Sequence, residues 1–205
     1  MNKVLESKFY SRTTVDVARE LVGMRLVRNI MTKAGDFARI AGIIVETEAY
    51  EGTDDPASHA RMGPTVRNHV MFGPAGRSYV YFTYGNHFCL NVTAKSHSQP
   101  AGAVLLRAIE PLEGTEIMRA NRGREDLRML ASGPGRLAQA LGIDRKLNGV
   151  DMTLAGAEIC IEANAAPERV VATPRIGITR ATRRRWRFVD ASSRFLSRYS
   201  RIKVR

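Results

Sequence analysis

Cysteine is scarce in this 205-residue chain. There are two, Cys89 and Cys160, with no CxxC spacing, so no zinc quartet can be assembled from thiols. The four histidines are scattered, and no His-x-Glu with a following Pro-Cys-x-x-Cys occurs, which excludes a zinc-dependent deaminase. No apolar run reaches the roughly 18 residues of a membrane span. Met1–Tyr10 lacks the apolar core of a signal peptide, so a cytoplasmic location is expected. Internal repeats and low-complexity linkers are absent. Gly73-Pro74-Ala75-Gly76 is too short for a phosphate loop and lacks a following Lys-Ser/Thr, so it reads as a turn. Acids are also few: 20 Asp and Glu stand against 32 Lys and Arg, giving a net charge of +12 and a pI near 10.4. That excess predicts an anionic partner, nucleic acid first and an anionic membrane surface second.

At 44% hydrophobic, the chain can bury a substantial core. Residues 13–22 read as a helix capped by Thr13 or Thr14 and ended by Gly23. Residues 39–48 are β-branched at the centre and read as a buried strand. Residues 51–77, rich in Gly, Pro, Asp and Asn, read as a long loop of the functional kind. Residues 78–84 and 87–94 read as strands joined by a Gly85-Asn86 hairpin turn. Residues 102–109 form another strand, with Arg107 its single charge. Pro111 and Gly123 bracket a helix of about a dozen residues, and Gly133-Pro134-Gly135 precedes a shorter one ending at Gly142. Short strands fill 150–190. The expected fold is a single α+β domain over residues 1–205 with a curved, mostly antiparallel sheet. The arginine-dense stretch 180–205 reads as a solvated face or tail that contacts phosphate.

One constellation carries chemistry. Glu46, Glu48, Tyr50, His59, Tyr79, Tyr81, Tyr84, Asn91 and Arg107 fall within about 60 residues, at or near expected strand ends. Aromatic faces can stack a base, a carboxylate can activate water, and arginine binds phosphate. Removing a base from DNA needs these parts: extrusion from the stack, aromatic walls worth roughly 1–3 kcal/mol per face, a wedge to fill the gap, and a carboxylate near C1′ to activate water and steady an oxocarbenium-like sugar. Glu48, at the end of a buried strand, suits the carboxylate. Glu46 lies on the same strand face. Tyr50, His59 and Tyr81 supply flat walls, Tyr84 beside the hairpin tip a wedge, and Arg107 needs a partner such as Glu48, Glu46 or a phosphate. Each residue taken singly also fits a bland role. Cys89 fits a small core residue.

The joined motifs are more specific. VETEAYEGTDDPASHA, RNHVMFGPAGRSYVYFTYGNHFCLNVT and GAVLLRAIEPLEG, with SGPGRLAQALGI and PRIGITRA before a WRF, resemble the alkyladenine DNA glycosylase family, also called methylpurine or 3-methyladenine DNA glycosylases. The resemblance spans roughly residues 7 to 198. It implies a monofunctional glycosylase of base excision repair that flips alkylated or deaminated purines from double-stranded DNA and leaves an abasic site, with no metal and no organic cofactor. It implies Glu48 as general base and Arg107 as the residue holding the attacking water and the flipped nucleotide's phosphate. Tyr50, His59 and Tyr81 would sandwich and touch the base, Asn91 would crowd the 2-amino group of normal guanine, and Tyr84 would enter the duplex on a β-hairpin. Arg67, Asn86, His87, Arg183 and Arg184 are expected along the DNA backbone. Arg185 departs from the pattern, standing before Trp186 where many relatives have proline; the arginine triplet 183–185 is expected to add phosphate contacts or alter a turn.

Other readings explain less. A non-enzymatic nucleic-acid-binding module accounts for charge and aromatics but not for a carboxylate among them. An enzyme acting on a small anionic molecule would want a phosphate loop. A Schiff-base variant would need a desolvated amine, and nothing marks Lys95 as one. A monomer is expected, since no extra apolar face is evident.

Overall fold

Strand β2, Phe37–Glu51, is longer than the sequence pattern suggested and forms the spine of the sheet. The computed structural model describes residues 3–31, 35–83 and 87–197. Among these, β1 (Arg25–Met31) pairs with the first half of β2 and β5 (Gly102–Glu113) with its residues 41–51. A short strand β8 (Arg187–Asp190) pairs with residues 46–48 on the edge opposite β5. The other strands are β3 (Ser78–Thr83), β4 (His87–Thr93), β6 (Ile159–Glu162) and β7 (Val170–Thr173). The path runs β3-β4-β5-β2-β1-β6, with β8 joining β2 to β7. Every pairing is antiparallel, and the sheet curls into a half-barrel, the expected α+β architecture.

The hairpin of β3 and β4 is as the sequence indicated; its turn, Tyr84, Gly85 and Asn86, lies outside the described residues. Helix α1 is Ser7–Tyr10. Helix α2 is Thr14–Glu20, with the Thr13 hydroxyl accepting the Asp16 N–H at 3.3 Å. The expected dozen-residue helix after Pro111 is shorter, because β5 continues through that proline. Pro111 sits opposite Gly42 at a register shift, where a missing N–H is tolerated. A Cβ on Gly42 would lie 2.6 Å from the Glu110 carbonyl, so the close strand approach requires glycine. Helix α4 therefore starts only at Thr115 and ends at Arg122. The loop 51–77 contains a single helical turn, α3, His69–Phe72. Leu127–Leu130 forms α5, and α6, Pro134–Ala140, has proline in its first turn as the sequence suggested.

The main core lies between one sheet face and the helices. Val80, Leu90, Val92, Val104, Leu106 and Ile109 meet Val17, Ala18 and Leu21 of the α2 segment and Leu137 and Ala138 of α6. Each fully buried Val, Leu or Ile side chain contributes roughly 1.5–3 kcal/mol. A smaller cluster, Ala60, Val70, Met71, Tyr79, Ala101 and Ala103, anchors the long loop onto the opposite face. No helix among the described residues is long and apolar enough to cross a membrane.

Candidate active site

Side chains alternate along a strand, so residues two apart share a face. Glu46, Glu48 and Tyr50 of β2, Tyr79 and Tyr81 of β3, Cys89 and Asn91 of β4, and Leu105 and Arg107 of β5 all turn away from the main core. The register aligns them: Tyr79 is opposite Asn91, Asn91 opposite Leu105, Leu105 opposite Glu48, and Glu48 opposite Arg187. One row across five strands thus brings Glu48, Tyr79 and Asn91 of the constellation into line, with Leu105 and Arg187 between and beside them.

Glu48 lies inside β2 rather than after it, and it is completely buried. Its Oε1 accepts the Ile176 N–H at 2.7 Å. Its Oε2 accepts the Tyr50 hydroxyl at 2.8 Å and Arg107 Nη1 at 3.2 Å. A carboxylate oxygen has about two acceptor positions, so Oε1 keeps one lone pair beyond the Ile176 bond. Burial and the neighbouring Glu48 carboxylate push the Tyr50 phenol far above its ordinary range, so it remains a hydrogen-bond donor.

Arg107 finds both carboxylate partners that the sequence left open. Its Nε donates to Glu46 at 3.0 Å while Nη1 reaches Glu48, and the residue is 7% exposed. Glu46 also accepts Arg187 Nε at 2.7 Å and the Ser197 N–H and Oγ at 2.7 and 3.0 Å. Burial would raise the Glu46 carboxyl, but Arg107, Arg187 and the Ser197 amide outweigh it and hold the group below the usual carboxylate range. Arg187 corrects the reading of 180–205 as a wholly solvated stretch: it is buried and its charge is spent on Glu46. Arg198, Arg201 and Arg205 lie outside the described residues.

Beside this network is a cavity of about 440 Å³, lined by Tyr50, His59, Met71, Tyr79, Tyr81 and Asn91 together with residues 56–58, 177–180, Arg61 and Ala103. Its size is that of a small-molecule site. Tyr81 and His59 meet edge to face at 4.6 Å between centroids, and His59 Nδ1 lies 3.0 Å from the Tyr79 hydroxyl. His59 is at the open mouth. The walls beneath the ring, and then the Arg67 charge, push it down to about 4, so it is neutral at physiological pH. Asn91 donates to the Tyr79 carbonyl at 2.9 Å, which fixes its amide. Cys89 is buried, and desolvation pushes its thiol up.

Tyr84 and Asn86 lie outside the described residues. Arg67 stacks over Tyr81 at 5.1 Å and donates to the Phe82 carbonyl at 3.3 Å. His87 is exposed at the hairpin and lies close over Gly135 at the start of α6. Arg183 is exposed; Arg184 stacks on Trp186 at 4.4 Å and donates to the Asp54 carbonyl at 3.1 Å. Arg185 donates to the Ala172 carbonyl at 2.7 Å, tying the turn before β8 to β7. Lys95 is fixed by the carbonyls of Phe72 and Pro100 at 2.8 and 2.9 Å and does not line the cavity. Sequence reasoning missed Asp55 and Arg175, a buried ion pair beside Tyr50, and Ile176, whose amide holds Glu48. Among the described residues, no group of three or more His, Cys, Asp or Glu could hold a metal ion.

The methylpurine-DNA glycosylase (MPG) family model matches residues 8–194. A protein of Rhodopseudomonas palustris is 46% identical over 198 residues, covering 97% of this chain and 90% of its own. One from Nitrosospira multiformis is 47% identical over 189 residues, covering 92% and 91%. One from Methanocella arvoryzae is 47% identical over 199 residues, covering 95% and 96%. Each bears the name "Putative 3-methyladenine DNA glycosylase". A family match across nearly the whole chain, joined to an aromatic cavity beside a buried carboxylate, identifies the protein as a member of the methylpurine-DNA glycosylase family, a DNA N-glycosylase and hence a hydrolase.

Proposed function

We propose that the chain works as one catalytic domain, a monomer acting on duplex DNA in the cytoplasm or nucleoid, and that it flips a damaged purine into the aromatic cavity and hydrolyses its N-glycosidic bond with water activated by Glu48. The observation carrying this reading is the Glu48 carboxylate. Both oxygens are oriented by named donors, beside a cavity walled by Tyr50, His59, Tyr79 and Tyr81. The substrate class follows from the relatives' names and from the walls, since aromatic faces attract the cationic rings of bases alkylated at nitrogen. Tyr84 is assigned the gap in the duplex. Arg67, Asn86, His87, Arg183 and Arg184 are assigned the backbone, with the exposed Arg61 and Arg180 at the cavity rim beside them.

In the proposed step a water hydrogen-bonds Glu48 at its remaining acceptor position. Its oxygen bonds C1′ as the C1′–N9 bond breaks, the bond pair leaves with the purine, and the water proton passes to Glu48. The carboxylate's charge also steadies the oxocarbenium-like sugar. Arg107, held by Glu46, orients Glu48. A base already cationic leaves readily; a neutral base such as hypoxanthine needs a proton as it leaves.

Labelled duplexes carrying hypoxanthine or 7-methylguanine, treated with enzyme and then hot alkali, test the assignment. Wild type should yield strand cleavage, while Glu48→Gln should bind the duplex and yield none. Equal cleavage by Glu48→Gln would remove Glu48 from the mechanism. Tight, salt-sensitive binding without cleavage by wild type would leave a binding protein for these lesions.

A further inference from the structure

The most completely enclosed ion pair outside the carboxylate network joins two segments 120 residues apart. Arg175 Nη1 and Nη2 grip Asp55 Oδ2 and Oδ1 at 2.5 and 2.8 Å, and neither side chain is exposed. Nη1 also donates to the Ala49 carbonyl at 2.8 Å. The guanidinium lies 4.7 Å from the Tyr50 ring centroid and 5.2 Å from that of Trp186. Such pairs rarely add much stability, because desolvation consumes most of the attraction. Here the pair adjoins Tyr50 and two of the loops that line the cavity.

The residue after Arg175 is Ile176, whose amide holds Glu48 Oε1 at 2.7 Å. Residues 177–180 then form one wall of the cavity. Asp55 begins the turn that forms another wall: its Oδ1 accepts the Ala57 N–H at 3.2 Å and its carbonyl the Ser58 N–H at 2.9 Å, and His59 follows. Arg175 itself backs Tyr50, which donates to Glu48 Oε2. One planar fork therefore sets the distance between two loops, the tilt of the ring that lines the cavity, and both oxygens of the carboxylate.

We infer that Asp55 and Arg175 are positioning residues for base excision, acting through Tyr50, His59 and Ile176 rather than by touching substrate. This rests on the assignment of Glu48 as general base. A misplacement of reacting groups by about an ångström costs on the order of 100-fold in rate, so a loosened clamp should reach the chemical step while leaving the DNA-binding surface in place.

The test separates positioning from stability. Single-turnover excision of hypoxanthine, thermal midpoint and affinity for a duplex containing a tetrahydrofuran abasic analogue are measured for wild type, Arg175→Gln and Asp55→Asn/Arg175→Gln. Arg175→Gln leaves the buried Asp55 with Arg184 Nη1, 3.9 Å away, in place of a bidentate partner and should lower both midpoint and excision. The double variant replaces the ion pair by a neutral amide pair and should recover the midpoint. Its excision should stay down by about 10- to 100-fold, with duplex affinity within about threefold. Excision that recovers together with the midpoint would reduce the pair to a structural contact and overturn the inference. If the double variant does not fold, Arg175→Lys decides. It keeps the charge but replaces the planar fork by a point ammonium, and an excision rate equal to wild type would overturn the inference. Glu48→Gln, run alongside, reports separately on the parent assignment: if it excises as fast as wild type, that assignment fails whatever the clamp variants do.

Discussion

Replacing Glu46 by glutamine should damage stability more than almost any other isosteric change in this chain. The residue is completely buried, and its oxygens accept from Arg107 Nε, Arg187 Nε, and the Ser197 amide and hydroxyl. Glu46, Glu48, Arg107 and Arg187 carry two negative and two positive charges. Glutamine leaves a net positive charge in a buried site and turns an acceptor into an NH2 facing donors. Removing one partner of a buried pair costs roughly 3–5 kcal/mol. In a domain of 150–250 residues each kcal/mol moves the midpoint by about 2–4 °C, so a fall of about 6–20 °C is expected in a thermal melt at pH 7, with a matching loss of urea midpoint. The pH dependence has a definite sign. Glu46 is held below the usual carboxylate range, so its contribution is fully present above an unfolded-state pKa of about 4.3 and is lost as pH falls through the lower folded value. Wild type and variant should therefore converge in acid. A midpoint change under about 2 °C at pH 7, or a gap that widens with acid, would refute the network's energetic role.

The remaining expectations concern the cavity and its frame. Tyr50→Phe removes a donor at 2.8 Å from Glu48; a hydrogen bond to a charged group is worth about 1.5–3 kcal/mol, so single-turnover excision should fall about tenfold or more, and an unchanged rate would make the contact incidental. His59, pushed down to about 4, should show ring C–H resonances flat from pH 8 to about 5.5. That depression makes the folded state lose stability as pH drops from about 6.5 toward 4, and a midpoint near 6.5 by NMR would contradict it. Thr13→Ala removes the cap of α2 and should cost about 1 kcal/mol in urea unfolding. Gly102→Ala would press a Cβ into the Ala94 carbonyl and Thr14 Oγ1 and should yield less folded protein; a wild-type melting curve would show the strand can yield there.

Strand periodicity made the β-hairpin and the face shared by Glu46 and Glu48 legible, because a two-residue repeat is local information. Gly-Asn marked the hairpin for the same reason. The end of β5 was illegible: Pro111 reads as a break unless the opposing Gly42 and the register shift are known. The fate of the C-terminal arginines was illegible too. Arg187 and Arg183 look alike in sequence, and only the pairing of β8 against β2 sends one to Glu46 and leaves the other in solvent. Asp55 and Arg175 each sit in polar, proline-containing stretches typical of surface loops, and no local signal couples residues so far apart. Within the site, Glu48, Tyr50, Tyr81, Asn91 and Arg107 are singled out by the joined motifs and the family these resemble; only Arg107, a lone charge in an apolar strand, stands out by itself. The backbone amide of Ile176 could not be named, since an amide carries no side-chain signature.

The spine strand has a dynamic consequence. Residues 46–48 have β5 on one edge and β8 on the other, so their amides have no open edge from which to fray. Hydrogen exchange in such a segment follows global rather than local opening. Deuterium should reach the loops 52–68 and 174–186 quickly and the Glu46–Glu48 backbone last of all. The carboxylate and the cavity walls Tyr50, Tyr79, Tyr81 and Asn91 are thus set in strands, while His59 and residues 56–58 and 177–180 stand on the loops. Adaptation to lesions of different shape falls to the loops, with no movement asked of the group proposed to do the chemistry.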